Sequence, residues 1–259
     1  MGKSYHDSCY YNHIAPRCAL CGEIIKGAYL EDFWGNKYHP DHEGRSPACE
    51  YCGRFISDSL TGGSVQYEDG RLICGLCAQT AVNDSAEAEN LFRSAREGLQ
   101  NLGIIIDQPD IKLHLVGRDE LKAIAGEKYS DPSGFVKYRQ TGIGNDILER
   151  KFDIYFLYGM PKMHFISVAA HELMHVWQYL NAPENNDPAL CEGSCNYASY
   201  LILREYPGLE SDYLIHTMTT ETDPYYGEGY RRVKKLVDDN GLDFWLEYLK
   251  SHPTFPDGY

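Results

Sequence analysis

Two histidines four residues apart, with a glutamate directly after the first, occupy positions 171–175 as His171-Glu172-Leu173-Met174-His175. Imidazoles at i and i+4 lie on one face of a helix. That spacing lets both bind one zinc ion, with Glu172 turned toward a water beside the metal. Such a water is nucleophilic at neutral pH. Glu172 can take its proton and pass it to a leaving amine. A third protein ligand is needed, and Glu192 is the candidate. It follows His175 by seventeen positions and opens a helical run through Arg204. The competing reading of Glu192 is an ordinary first-turn acid favoured by the helix dipole. Asn196, one turn beyond Glu192, carries an amide oxygen that can accept the free N–H of a ligand histidine and fix its tautomer. The oxyanion of a tetrahedral intermediate needs a donor of its own, for which His216 and Tyr226 are the candidates.

A second constellation lies upstream: Cys18-x2-Cys21, His39-x2-His42, Cys49-x2-Cys52 and Cys74-x2-Cys77. Two residues between paired ligands is the spacing of a metal knuckle, whose turn points both side chains at one ion. Pairing neighbours gives one site of two cysteines and two histidines and one of four cysteines. Both shells are closed, with no position for water, so they read as structural. A disulfide framework fits poorly, because no secretory signal opens the chain and two of the eight groups are histidines.

The elements that must position these groups are legible in outline. Residues Phe165 to Ala170 before the pentapeptide, and Val176, Trp177 and Leu180 after it, give a largely buried helix with Pro161 near its first turn. Asp84 or Ser85 caps a helix through about Leu102, stopped by Gly103, with Ala88, Leu91, Phe92, Ala95, Leu99 and Leu102 at helical period. It reads as the join between modules. Ile104 to Ile106, Ile111 to Val116, Gly134 to Gln140 and Asp153 to Tyr158 read as strands, and Arg118 to Ala125 as a short helix. Two helices near 227–239 and 242–250 end the chain. Part of segment 126–151, which has several glycines and little periodicity, reads as a mobile loop near the cleft. His114 and His164 lie on apolar elements and read as packing histidines. Cys191 and Cys195, one turn apart around Glu192, read as buried small residues.

The 259 residues carry a formal charge of −14. That balance argues against nucleic acid as a partner of the zinc module. No apolar run reaches membrane-spanning length. Cysteines used as thiolate ligands point to a reducing, cytoplasmic setting.

At these residues the chain resembles the LIM-domain peptidases best known from plants, whose ubiquitin-activated members restrict organ and seed growth. The stretch from Leu157-Tyr158-Gly159-Met160-Pro161 to Ala170-His171-Glu172-Leu173-Met174-His175 resembles the family's "GLP…AHEMMHA" segment. Glu192-Gly193-Ser194-Cys195 resembles its "EEGxCQ" segment, with Cys191 in place of a first Glu and Asn196 in place of Gln. Asp223 to Tyr230 resembles its late "SPxYGDGF". The zinc module is similar to the family's second LIM-like unit, including six residues between His42 and Cys49. No ubiquitin-interacting helix is recognisable, so the ubiquitin link comes from the resemblance alone. A compact bacterial-type relative fits these departures.

The expected architecture is α+β. A tail (1–16) precedes a LIM-like double zinc module (17–82) and a zincin-like metallopeptidase domain (83–259) of the gluzincin kind, HExxH plus Glu. The expected function is an intracellular zinc endopeptidase with protein substrates, one catalytic and two structural zinc ions, and a zinc module that docks a protein partner. The alternative is a zinc-scaffolded interaction protein with a latent or inactive peptidase domain.

Overall fold

The computed structural model describes residues 6–108, 110–127, 131–143 and 146–259. The chain divides into two compact units, Met1–Thr80 and Ala81–Tyr259.

The first unit is built from short pieces: α1 (Asp7–His13), β1 (Leu30–Glu31), β2 (Lys37–Tyr38), α2 (Asp58–Thr61), β3 (Ser64–Gln66), β4 (Leu72–Cys74) and α3 (Gly75–Ala78). Part of the expected tail is thus helical, while its first five residues lie outside the described ones. The strands form two antiparallel pairs, β1 with β2 and β3 with β4. Elements this short cannot bury a face large enough to stand alone. A small core of Ile25 and Tyr38, with Phe55 and Leu60 against it, surrounds the buried Cys18. Arg71 is fully buried and held by Asp69 and the Tyr51 hydroxyl.

The second unit begins with β5 (Ala81–Val82) and α4 (Ser85–Asn101), whose N-cap Asp84 accepts from the Glu87 N–H. A three-stranded sheet follows, ordered β6 (Ile111–Val116), β8 (Asp146–Leu157), β7 (Gly134–Ile143), with α5 (Arg118–Ala125) between β6 and β7. β6 runs parallel to β8 and β7 antiparallel to it, so the sheet is mixed. β9 (Met160–Pro161) pairs with β5. Five helices complete the unit: α6 (Lys162–Asn181), α7 (Pro188–Arg204), α8 (Leu209–Thr220), α9 (Gly227–Asn240) and α10 (Leu242–Leu249). Phe152, Ile154 and Phe156 on β8 are buried. Phe156 meets Phe165 of α6 at 4.8 Å and Phe92 of α4 at 6.1 Å between ring centroids. The sheet therefore packs on α4 and α6.

Three expectations change, and one helix had none. Ile104 to Ile106 is not a strand. The Arg96 guanidinium takes the carbonyls of Ile106 and Gln108, at 2.8 and 2.7 Å, which a ladder would otherwise use. Helix α4 does not merely join modules: Ala88, Phe92, Ala95 and Leu99 bury it within the second unit. Most of segment 126–151 is the β7–β8 hairpin, bulged at Thr141/Gly142, with 128–130 and 144–145 outside the described residues. Pairing along β8 supplies the order that its sequence period does not announce. Helix α8 had no expectation. It buries only Ser211 and Leu214, so it lacks the apolar stripe that would reveal it.

Two helices meet so closely that only glycine fits. A Cβ on Gly193 of α7 would lie 2.3 Å from the backbone carbon of Gly229 on α9. One on Gly229 would lie 2.3 Å from the Ala189 carbonyl oxygen. Gly193 adjoins Glu192, so this packing helps set where that carboxylate stands. We expect Gly193→Ala to lower stability by about 1–3 kcal/mol through overpacking. Chemical denaturation followed by circular dichroism checks this, and an unchanged midpoint would show that the helices can part freely.

Candidate metal centres

The first unit brings its eight paired ligands into two clusters. Cys18, Cys21, His39 and His42 form one; Cys49, Cys52, Cys74 and Cys77 form the other, and within each cluster the donor atoms lie within 4.8 Å of one another. The local reason repeats. In each of the first two cysteine knuckles the first cysteine's carbonyl accepts from a glycine N–H, Gly22 or Gly53, at 2.9 Å. Both glycines hold positive φ, 74° and 67°, which is why glycine follows the knuckle. The third knuckle caps α3, where the Cys74 sulfur accepts from the Cys77 N–H at 3.5 Å. Cys52 and Cys74 sulfurs lie 3.7 Å apart. Two sulfurs bound at about 2.3 Å to a tetrahedral zinc lie about 3.8 Å apart. His39 donates through Nε2 to the Ile24 carbonyl at 3.3 Å, leaving Nδ1 bare toward Cys21 at 3.4 Å. Four crowded sulfurs cannot all ionise without a cation. Hydrogen bonds from Cys52, then Cys74 and Cys77, pull the Cys49 thiol far down, while Cys49, then Cys52 and Cys74, push Cys77 far up. Both clusters have donor sets suited to zinc.

The second unit assembles the third site from two helices. α6 carries His171 and His175 one turn apart, and its buried neighbours Ala170, Leu173 and Met174 hold that face in place. α7 starts from the N-cap Asp187 with Pro188 at its first position, so Glu192 sits in the second turn and does not open the helix. The Glu192 Oε2 lies 3.3 Å from His171 Nε2 and 3.4 Å from His175 Nε2. Donors at about 2.0–2.1 Å from a tetrahedral zinc are about 3.3–3.4 Å apart.

The other ring nitrogens decide the protonation. His171 Nδ1 meets Asn196 Oδ1 at 3.0 Å, and His175 Nδ1 meets Gln178 Oε1 at 3.1 Å. Amide oxygens only accept, so each Nδ1 carries the hydrogen. The amide orientations are themselves settled, because Asn196 Nδ2 donates to the Tyr226 carbonyl and Gln178 Nε2 to the Cys191 carbonyl. Three lone-pair atoms thus face one another, and Glu192 Oε2 is buried without a hydrogen-bond partner among the described residues. Burial pushes the Glu192 carboxyl up; protonating both histidines would more than reverse this, but only by burying two imidazolium charges. One divalent ion satisfies all three atoms with the rings neutral. The residues fit zinc.

Cys195 also clusters with the two histidines. Its sulfur lies 3.3 Å from His175 Nδ1, the nitrogen facing away from Glu192. The Nε2 pair with Glu192 is the better ligand set, since all three converge and Nδ1 is engaged.

Glu172 is buried at 5% exposure and borders an open cleft of about 860 Å³. Burial pushes its carboxyl up, and the negative Glu192 adds to the rise, while the histidines and a Val136 backbone hydrogen bond oppose it. Gly134 opens β7 against this carboxylate: a Cβ there would lie 2.6 Å from Glu172 Oε1. Tyr226 lines the cleft, its ring 6.2 Å from that of His171. His216 is exposed on α8 and is not among the lining residues. His114 stacks on Tyr155 and bonds Asp153 at 3.0 Å, away from the cleft. Sequence reasoning missed Gln178, although its place three residues after His175 on one helix was an available signal. Gly134 left no such signal, because its partner is distant in sequence.

A family model described as "DA1-like: Protein DA1" matches residues 148–211, the stretch holding both histidines and Glu192. The chain is 27% identical to "Protein DA1-related 2" of Arabidopsis thaliana across 98% of its own length and 61% of that protein. It is 26% identical to "LIM domain-containing protein HDR3" of Oryza sativa subsp. japonica, across 97% of itself and 64% of that protein. "Protein DA1" of Arabidopsis thaliana is 25% identical across 97% of this chain and 59% of its own length. The chain fits the DA1 family of plant LIM-domain proteins. It spans about three-fifths of the length of these curated relatives. No solved structure matches it significantly.

Two closed clusters and one open one should hold three zinc ions per chain, and elemental analysis of purified protein checks the number. A chelator should empty the open site first, leaving the first unit folded by circular dichroism. Loss of all metal and all structure in one step would contradict this ordering.

Proposed function

We propose that the chain is a zinc-dependent endopeptidase in which His171, His175 and Glu192 hold the ion. The observation carrying this is the buried Glu192 Oε2, partnerless between two bare Nε2 atoms, with the Glu172 carboxylate beside the same cleft. Bound there, zinc would supply Lewis acidity that polarises a carbonyl and makes water nucleophilic near neutral pH. The chain's own residues do the rest. Glu172, whose pKa burial pushes up, is suited to take a proton from the attacking water and deliver it to the leaving amine. Tyr226 lines the same cleft, its ring stacked 6.2 Å from that of His171, and is the candidate donor to the carbonyl oxygen. Asn196 and Gln178 hold the ligand rings.

A polypeptide substrate is supported by the cleft wall. Ser133 bonds β8 through its carbonyl at 3.0 Å, so the next residue, Gly134, turns its backbone N–H and C=O away from β8. Gly134 lines the cleft on an edge strand, where an extended peptide can add. The zinc module, in this reading, is a rigid surface for a protein partner, with Tyr29 and Phe33 exposed on it. Among the described residues no helix is long and apolar enough to cross a membrane.

The two glutamates should separate on substitution. Glu172→Gln should keep zinc and fold while losing about 10²–10⁴-fold in turnover, since an amide cannot accept the proton. Glu192→Gln should weaken zinc binding, with activity partly returning in excess zinc. Peptide cleavage and zinc content across a zinc titration check both. Metal loss in Glu172→Gln, or tight zinc with full activity in Glu192→Gln, would reverse the assignments. A wild-type protein with its zinc but no cleavage of any peptide would favour the interaction-scaffold alternative.

A further inference from the structure

We propose that Gln178 is a positioning residue that fixes His175 as an Nε2 ligand and keeps the neighbouring thiols off the metal. The inference rests on the metal site of the preceding reading. Gln178 is buried at 7% exposure on α6, three residues after His175. Both ends of its amide are used. Nε2 donates to the Cys191 carbonyl at 3.0 Å, which leaves Oε1 to accept from His175 Nδ1 at 3.1 Å. Cys191 directly precedes Glu192. One side chain therefore ties a ligand ring on α6 to the backbone next to the ligand carboxylate on α7.

The same oxygen is shared. Cys191 Sγ approaches it at 3.1 Å and Cys195 Sγ at 3.5 Å. Cys195 Sγ also lies 3.3 Å from His175 Nδ1. A thiol this close to a ligand ring is a competing soft donor for zinc. Accepting from His175 Nδ1–H directs the ring's lone pair to the Glu192 side, away from Cys195 Sγ, which lies against Nδ1. A carboxylate at 178 would also accept from Nδ1, but it would bury a further negative charge and face the Cys191 carbonyl without a donor. The neutral amide supplies acceptor and donor together.

The test uses the full chain with its closed sites filled, titrating the open site with zinc against a chelator. Gln178→Leu should weaken that site about 10–100-fold, the usual cost of losing a ligand's hydrogen-bond partner. Gln178→Glu, which keeps the acceptor but loses the donor to the Cys191 carbonyl, should restore part of the affinity. Cobalt placed in the open site of the wild type should show no intense thiolate-to-metal absorption, while Gln178→Leu should gain it. A measurement on the unaltered protein guards against misfolding: imidazole nitrogen NMR of the zinc-loaded wild type should place the His175 proton on Nδ1. Wild-type affinity in Gln178→Leu, a Gln178→Glu as weak as it, thiolate absorption in the wild type, or a His175 proton on Nε2 would each overturn the proposal. If the expected pattern appears in a protein that cleaves no peptide, the role of Gln178 stands and the peptidase reading falls. A wild type that takes up no third zinc overturns both.

Discussion

A buried carboxylate oxygen facing two bare imidazole nitrogens is the constraint on which the second unit turns. Three lone-pair atoms at 3.3–3.4 Å repel unless a cation sits among them. The surrounding structure is nevertheless organised to keep them there. α6 is anchored by buried Ala170, Leu173 and Met174, and α7 by its glycine contact with α9. Each ligand ring is braced through its far nitrogen. The arrangement is costly as a packing solution and economical as a metal site.

The braces are amides from different helices. Asn196 on α7 holds a ring on α6 and is itself held by the Tyr226 carbonyl, while Gln178 on α6 holds the next ring and is held by a carbonyl on α7. The two helices are cross-linked in both directions through the ligands. Neutral braces add no charge beside Glu192, so the histidines donate less electron density than a carboxylate-backed pair would. A metal bound there would be the more electrophilic for it. Gly134 contributes by omission: its missing side chain leaves room for the Glu172 carboxylate at the cleft wall.

The first unit solves a different problem. Its strands are two or three residues long, and its apolar cluster is small. The cysteine knuckles carry the load instead, each closed by a glycine turn or a helix cap within a few residues of its ligands. Metal binding and folding would be one event in such a unit, because the candidate ligands are also the principal cross-links.

The contrast between the units explains what could be read early. Knuckle spacing, the His171–His175 pair, and the strand and helix at 111–116 and 118–125 follow from short-range rules: turn geometry, helical period and alternation act over a few residues and are written in consecutive positions. The placement of Glu192 and Asn196 beside the two histidines was legible because positions one turn apart share one helix face. The family resemblance carried Tyr226 to the cleft, whereas the same reasoning put His216 beside it on sequence proximity, and α8 leaves that residue exposed. The hairpin at 134–157, the carbonyl capture by Arg96, the Gly193–Gly229 contact and the Gly134–Glu172 approach join positions far apart or lacking a period. The sequence by itself determined which donors exist and how each is presented locally. Only the tertiary structure decided which carboxylate oxygen faces both rings, which nitrogen of each ring is bare, and which thiol is kept apart, because those follow from distances between helices that no local spacing encodes.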